Sequence, residues 1–207
     1  MTPAAFDLFT IGHSNHPIDR FLDLVRSAGI TAIADVRSTP ASHRYLWFNQ
    51  TRLAPLLAAE GIAYVPLGDA LGGRPRDPRL YREDGVADYA AMAGTDEFRA
   101  GLERVGDGAR RYRVCLMCAE HEPLDCHRCL LVARALAERG FAIGHVLADG
   151  TVEPHAQTEE RLLTLAGSAG DLFADLDQRV AAAYARRAGT AAYRRTKPLT
   201  AAAKAAT

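Results

Sequence analysis

The chain contains no run of 18 consecutive apolar residues, so nothing in it reads as a membrane-spanning helix. Its opening stretch, MTPAAFDLFTIGHSN, has neither the basic start nor the long apolar core of a secretory leader, and the expected compartment is the reducing cytoplasm. Cysteine is scarce. Four residues, in that compartment, are expected as free thiols, metal ligands or catalytic groups and not as a disulfide framework. Net charge is absent as well, because 25 basic and 25 acidic residues cancel, so bulk charge names no partner. Acidic residues are missing altogether after Asp177, where Arg179, Arg186, Arg187, Arg194, Arg195, Lys197 and Lys204 give a basic stretch that holds both lysines of the chain. What is present is ordinary globular composition, 48% apolar and 24% charged, which excludes disorder over the whole chain. A length of 207 residues suits one core with an appendage.

Short apolar runs alternate with helical patterns as far as residue 165. Residues 6–11, 30–36, 62–67, 113–117 and 141–147 read as strands buried on both faces. Ile18, Phe21, Leu22 and Val25 recur at helical spacing between Pro17 and Gly29, and Leu53, Leu56 and Leu57 give residues 51–59 one apolar face. Residues 88–93 and 95–105 form two further helices, the second capped by Thr95, and Asp125 is expected to cap a helix through Arg139. This alternation predicts an α/β domain over residues 1–165, with a largely parallel five-stranded sheet and helices on both faces. Residues 166–207 are expected as a helical to disordered, Ala/Arg-rich tail, on which Leu172, Phe173, Leu176 and Val180 recur at helical spacing and are able to dock one helix. Little remains to bury beyond Arg194, so truncation after Gly189 is expected to leave the melting temperature nearly unchanged. The long segment 68–85, rich in Gly, Pro, Arg and Asp, is expected to be functional or mobile.

In such folds ligands bind outside the carboxyl ends of the strands. The first strand runs into His13 and Ser14, the second into Asp35, Arg37 and then Ser42 and His43, and the third into a segment containing Gly72 and Gly73. The fourth runs into Cys118 and Glu120, then through a loop to Cys126, His127 and Arg128 at a helix start. Imidazole, hydroxyl, carboxylate, guanidinium and thiol would share one rim.

The motifs TIGHSN, DVRSTPAS, the Phe48-Asn49 pair, LGGRP and CAEHEPLDCHR, in this order, resemble the bacterial and archaeal family catalogued as domain of unknown function number 488, over roughly residues 8–150. The resemblance implies a Rossmann-like α/β domain whose recurring polar residues fall on His13, Ser14, Asp35, Arg37, Cys118, Glu120, Cys126, His127 and Arg128. It implies no particular reaction. Cys115, Cys129 and the basic tail lie outside the family pattern.

Three chemistries compete for the cysteine segment. Cys115-x-x-Cys118 and Cys126-x-x-Cys129 resemble a closed zinc site on paper. Strand alternation, however, turns Cys115 away from Cys118, and Cys129 falls on the core face of a helix, which leaves Cys118, Cys126 and His127 with one further ligand as the metal reading. In the second, a strand end facing a helix start beside Arg128 would favour thiolate at Cys118 and Cys126, as in rhodaneses and cysteine phosphatases. The nine residues separating Cys118 from Arg128 are more than the phosphatase loop has, so the likeness supports anion binding more than one reaction. The third pairs Asp35 with Glu120 for glycosyl transfer or nucleoside hydrolysis, against the commoner fate of Asp35, an ion pair with Arg37 or Arg128. His16, His121, His145 and His155 are expected as surface or capping groups. Tyr45, Trp47 and Phe48 would pack their loop or form a platform for a nucleobase.

The expected protein is therefore an enzyme, a hydrolase or transferase, acting on an anionic substrate that is nucleotide-like or contains phosphate or sulfur. Cys118, Glu120, His13 and Asp35 carry the chemistry. Ser14, Arg37, Ser42, Cys126, His127, Arg128 and the backbone N–H groups of residues 126–128 hold the anion. Zinc, if present, is on Cys118, Cys126 and His127. The alternative is a non-catalytic metal-binding or nucleic-acid-binding module, the latter through weak contacts of the basic tail.

Overall fold

The computed structural model describes residues 6–167 and 175–195. In chain order its elements are β1 (Leu8–Gly12), α1 (Ile18–Ser27), β2 (Ala32–Asp35), α2 (Gln50–Ala59), β3 (Ala63–Pro66), α3 (Gly68–Leu71), α4 (Tyr89–Ala93) and α5 (Asp96–Ala109). These are followed by β4 (Val114–Cys118), α6 (Arg134–Ala137), β5 (Ile143–Val146), β6 (Val152–Pro154), α7 (His155–Leu165) and α8 (Leu176–Ala191). The strands form one sheet in the order β3-β2-β4-β1-β5-β6, parallel except for β6. The architecture is Rossmann-like α/β, with all five expected strands present. β6 is an addition to the expected five. It is a three-residue strand reached through the Asp149-Gly150 turn, where Gly150 takes φ +97°, and three residues are too few to show an alternation.

Alternation along β4 sorts the core. Cys115 and Met117 point to one face, where Phe9, Ile11 and Ile33 meet Phe21 and Val25 of α1 and Leu53 and Leu57 of α2. Val114, Leu116 and Cys118 point to the other, beneath Phe98 and Leu102 of α5 and Leu130, Val132 and Leu136. The two cysteines of the first Cys-x-x-Cys pair are thus separated by the sheet.

Thr95 caps α5 by accepting from the N–H of Phe98, and Asp88 caps α4. Asp125 does not cap a helix. Glu122 and Pro123 instead start a single 3-10 turn that Asp125 ends, and the chain re-enters a helical path as a π segment, Arg128–Ala133, before α6. Asp125 pairs with Arg187 of α8.

α8 docks through Ala183 and Tyr184, each 1% exposed, whereas Leu176 is 56% exposed. Leu172 and Phe173 lie outside the described residues. Tyr184 reaches a polar chain inside the domain: Thr10 Oγ1 to His145 Nδ1 (2.8 Å), His145 Nε2 to His155 Nδ1 (2.9 Å), His155 Nε2 to the Tyr184 oxygen (3.1 Å), and the Tyr184 hydroxyl to Glu159 (3.0 Å). The donors and acceptors run in one direction if both imidazoles are neutral. Burial holds His145 well below its ordinary pKa, helped by neighbouring His155, and burial lowers His155 as well. The expectation of surface histidines is therefore wrong for this pair. Every residue of β5 is buried, so a polar residue within it must be satisfied internally.

The chain beyond Gly189 is also more engaged than expected. Tyr193 accepts from the N–H of Ala87 (2.9 Å), Arg195 donates to Gly85 (2.9 Å), and Ala192 is buried. Lys197 and Lys204 lie outside the described residues. Among the described residues no helix is long and apolar enough to cross a membrane.

Two outcomes follow. Truncation after Gly189 removes these backbone bonds and is expected to cost about 2 kcal/mol, lowering the melting temperature by about 4–8 °C in a thermal scan; an unchanged scan would show these bonds to be dispensable. Because His145 and His155 titrate lower when folded, the unfolded chain binds more protons below pH ~6.5. Stability is expected to be complete above that pH and to decline as pH falls from it, with a shallower decline in the double variant His145→Gln/His155→Gln.

Candidate functional site

Three neighbouring strands, β2, β4 and β1, end at one level, with Gly12 opposite Cys118 and Asp35 opposite Met117. The pairing of β1 with β4 continues past the strands, as His13 donates to Cys118 O (2.8 Å) and Ser14 to Ala119 O (2.9 Å). Ser14 takes φ 48°, a sparsely populated backbone for a residue with a Cβ and the one such non-glycine among the described residues. Over these tips lies a cleft of about 910 Å³, lined by His13, Ser14, Arg37, Ser42, Cys118, Glu120 and His127, with Arg44, Tyr45, Arg74 and Tyr193 at its sides.

One half of the site is a clamp on Arg37. Asp35, 1% exposed, accepts from Arg37 Nε (2.9 Å), Nη2 (2.5 Å) and its backbone N–H (3.1 Å), and also from the Tyr64 hydroxyl (2.6 Å). The third corner of the guanidinium, Nη1, donates to His13 Nε2 at 3.2 Å. His13 in turn gives Nδ1–H to the Ser14 carbonyl (2.9 Å) and lies stacked on Phe48, ring centroids 4.2 Å apart. Burial, with Arg37 beside it, lowers the His13 pKa to about 4, so the ring is the neutral acceptor its partners require. For Arg37 burial opposes the charge, but the bonds to Asp35 outweigh it and raise the pKa. Asp35 is thus the ion-pair partner of Arg37 and stands behind it, away from the cleft.

The other half is a sulfur cluster. Glu120 Oε2 lies 2.8 Å from Cys118 Sγ and 3.0 Å from Cys126 Sγ, while His127 Nδ1 lies 3.6 and 3.8 Å from the same sulfurs. The four donor atoms fall within 4.8 Å of one another, so the group could hold a metal ion. The far nitrogen of His127 bonds Val36 O at 2.8 Å, the backing that orients a ligating imidazole. Burial raises the Cys118 thiol well above its ordinary value. Burial also opposes ionisation of Cys126, yet the hydrogen bond from Cys118 and the charges of Arg128 and His127 win and hold Cys126 well below. Cys115 is fully buried on the opposite face, and burial raises its pKa beyond the thiol range.

Arg128 is not at the cleft. It is 0% exposed, and its guanidinium donates to the carbonyls of Glu120 (2.6 Å) and His121 (2.9 Å). The expected anion cradle of backbone N–H groups is likewise engaged: Cys126 N bonds Pro123 O, and Arg128 N bonds Cys126 Sγ at 3.4 Å. The first of these bonds closes the 3-10 turn that precedes the helix, and the second caps its start with the Cys126 sulfur. Ser42 lines the cleft, but its hydroxyl accepts from the N–H of Tyr45, which shapes the loop. A second group, Cys129, His145 and His155, also gathers three donors, yet both histidines have their ring nitrogens taken up by Thr10, Tyr184 and each other.

The family model described as Domain of unknown function DUF488 matches residues 17–135. The chain belongs to this family. No curated protein and no solved structure matches the chain. The DUF488 match takes in Asp35, Arg37, Ser42 and the whole segment from Cys118 to Arg128, and stops short of His13 and Ser14. Parallel pairing of β1 with β4 brings those two to the same cleft as the matched residues.

Sequence reading missed Tyr64 and Tyr193 as site residues, since each acts through a contact between distant segments that no local pattern announces; Phe48, expected to pack its loop or form a platform, stacks on His13. Gly72 and Gly73 left a signal in the LGGRP motif without a reason for it. The reason is steric: a Cβ on Gly72 would lie 2.3 Å from Ser38 Oγ, and one on Gly73 would lie 2.7 Å from His127 Cγ and 2.8 Å from its Nδ1. The glycines let this loop close directly over the imidazole. Gly73→Ala is accordingly expected to push His127 aside and destabilise the chain by about 1–3 kcal/mol in urea unfolding. Gly108→Ala in α5, where the nearest atom would be 3.5 Å away, should be neutral or slightly stabilising.

Proposed function

We propose that this chain is an enzyme, a hydrolase or transferase, acting on a small anionic substrate of nucleotide-like character, with a zinc ion held at the cleft floor by Cys118, Cys126 and His127. The observation that carries the reading is one cleft with a thiol–imidazole cluster at its base and three arginines, Arg37, Arg44 and Arg74, around it. Arg37 is the anchor for the anion: its Nε edge is fixed by Asp35 and Nη1 meets His13, so the remaining N–H groups are oriented before any ligand arrives. Asp35 and His13 are positioning residues in this scheme. Ser14 lines the same wall, and Glu120, the one exposed member of the cluster, is placed to act as general acid or base. Tyr45 and Tyr193, in cation–π contact with Arg44 and Arg74, offer flat faces beside cations, which suits a planar group attached to a phosphate.

Three competing readings lose support. A paired-carboxylate hydrolase needs Asp35 free, and its oxygens are committed to Arg37 and Tyr64. For a nucleic-acid module based on the tail, three of the cations among the described residues are already engaged: Arg186 bonds Ala166 O, Arg187 bonds Leu124 O and Asp125, and Arg194 bonds Asp84. A non-catalytic metal module would have no use for an arginine-lined cleft above its ligands.

The test uses the purified full chain. Elemental analysis is expected to find about one zinc per chain, retained in Cys115→Ser and lost in Cys118→Ser and Cys126→Ser. Titration calorimetry with adenosine monophosphate and with inorganic phosphate is expected to show binding that Arg37→Lys weakens about 10–100-fold, because lysine cannot reproduce the oriented fork. A chain that binds neither zinc nor either anion would overturn the proposal.

A further inference from the structure

Resting on the zinc reading above, we infer that Glu120 is the fourth ligand of the ion and an exchangeable one, and that an anionic substrate joins the metal by taking the position Glu120 leaves. Three of the four donors are locked. Cys118 ends a strand paired on both sides, Cys126 accepts from the N–H of Arg128, and His127 is tied to Val36 O. All three are buried, whereas Glu120 is exposed and lines the cleft. Three fixed ligands and one open position is the arrangement of catalytic zinc; structural zinc closes all four with cysteine and histidine.

Distances and charge agree with this assignment. Zinc–sulfur and zinc–nitrogen bonds in a tetrahedron place sulfur and nitrogen roughly 3.6 Å apart. The sulfurs here lie 3.6 and 3.8 Å from His127 Nδ1. Glu120 Oε2 sits nearer the sulfurs, at 2.8 and 3.0 Å, so a retreat of under ~1 Å would bring it to ligand spacing. Among the described residues the Glu120 carboxylate forms no ion pair, and its hydrogen-bond neighbours are the two sulfurs, acidic groups that become anions when they ligate. Two thiolates and one carboxylate would balance the charge of a divalent ion together with that of buried Arg128. An incoming monoanion that replaces Glu120 leaves the charge in the metal's own ligand sphere unchanged.

The side chain is able to leave without moving its loop. The carbonyl of Glu120 is held by Arg128 at 2.6 Å, and it occupies the place a Cβ on Gly12 would take, 1.8 Å away. The backbone is therefore fixed while the carboxylate is free to turn into the cleft. Once displaced, it stands beside the bound anion, where it serves as the acid or base assigned to it above.

Cobalt(II) is the probe, because its visible spectrum reports both thiolate ligation and coordination number. The full chain is expected to bind one equivalent, with thiolate charge-transfer and four-coordinate bands that change when inorganic phosphate is added. Glu120→Ala, a change at an exposed side chain, is expected to keep the charge-transfer bands, to bind cobalt about 10–100-fold more weakly, to show altered visible bands, and to respond to lower phosphate concentrations. Glu120→Asp should restore part of the affinity. If the unaltered chain binds cobalt with thiolate bands but Glu120→Ala matches it in affinity and spectrum, or if phosphate leaves both spectra unchanged, the exchangeable-ligand inference is overturned and the zinc reading survives. If the unaltered chain binds neither cobalt nor zinc, the zinc reading itself has failed.

Discussion

A guanidinium without access to water organises this molecule's chemistry. Arg128 donates to the carbonyls of Glu120 and His121, so it closes the loop between Cys118 and Cys126 from inside. Its Nε is the buried side-chain nitrogen left without a hydrogen-bond partner among the described residues, and no carboxylate pairs with it. A buried cation in that position costs several kcal/mol unless dipoles or negative charge face it; the two carbonyls do so, and the charge of Arg128 in turn lowers the pKa of Cys126. The depressed pKa of that cysteine and the closed loop are two aspects of one arrangement. Gly12 belongs to it too, since only a residue without a Cβ admits the Glu120 carbonyl beside β1.

The second arginine of the site is arranged on the opposite principle. Arg37 has a full carboxylate partner, and Asp35 is further polarised by Tyr64 on β3. His13 closes the clamp from β1, its ring neutral and pressed on Phe48. Residues from β1, β2 and β3, together with Phe48 from the segment leading into α2, fix the direction of one side chain. A rigid guanidinium facing a cleft binds an anion with little ordering cost at the moment of association. Arg128 holds the loop between Cys118 and Cys126 from inside, whereas Arg37 is fixed by Asp35 and His13 at the cleft wall, so two arginines of one rim have opposite surroundings.

On the same face of the sheet as Cys118, a second polar group ties α8 to the domain. The line from Thr10 through His145, His155 and Tyr184 to Glu159 crosses β1, β5, α7 and α8. Each member would be an unsatisfied buried group without the next. The helix beyond residue 175 is held by this polar line and by Arg187 on the loop of Asp125. Tyr193, a few residues on, reaches the wall of the cleft.

The five strands, their largely parallel sheet and the rim on which His13, Arg37, Cys118, Glu120 and His127 meet were legible in the chain itself. Buried parallel strands leave continuous apolar runs, and the rule that sites lie at strand carboxyl ends needs no coordinates. The same alternation separated Cys115 from Cys118. Other features had no local signature. Asp125 looked like a helix cap until a π turn took the helix start elsewhere, and His145 and His155 looked like isolated histidines because their partners are up to 135 residues away. Arg128 and Arg37 are indistinguishable as arginines at strand or helix ends; only packing buries one beneath a loop and leaves the other facing the cleft. Residue type and periodicity thus determined which groups share a rim. Tertiary structure decided which of them face solvent, which face each other and which merely hold the rest, because those depend on contacts between segments far apart in the chain.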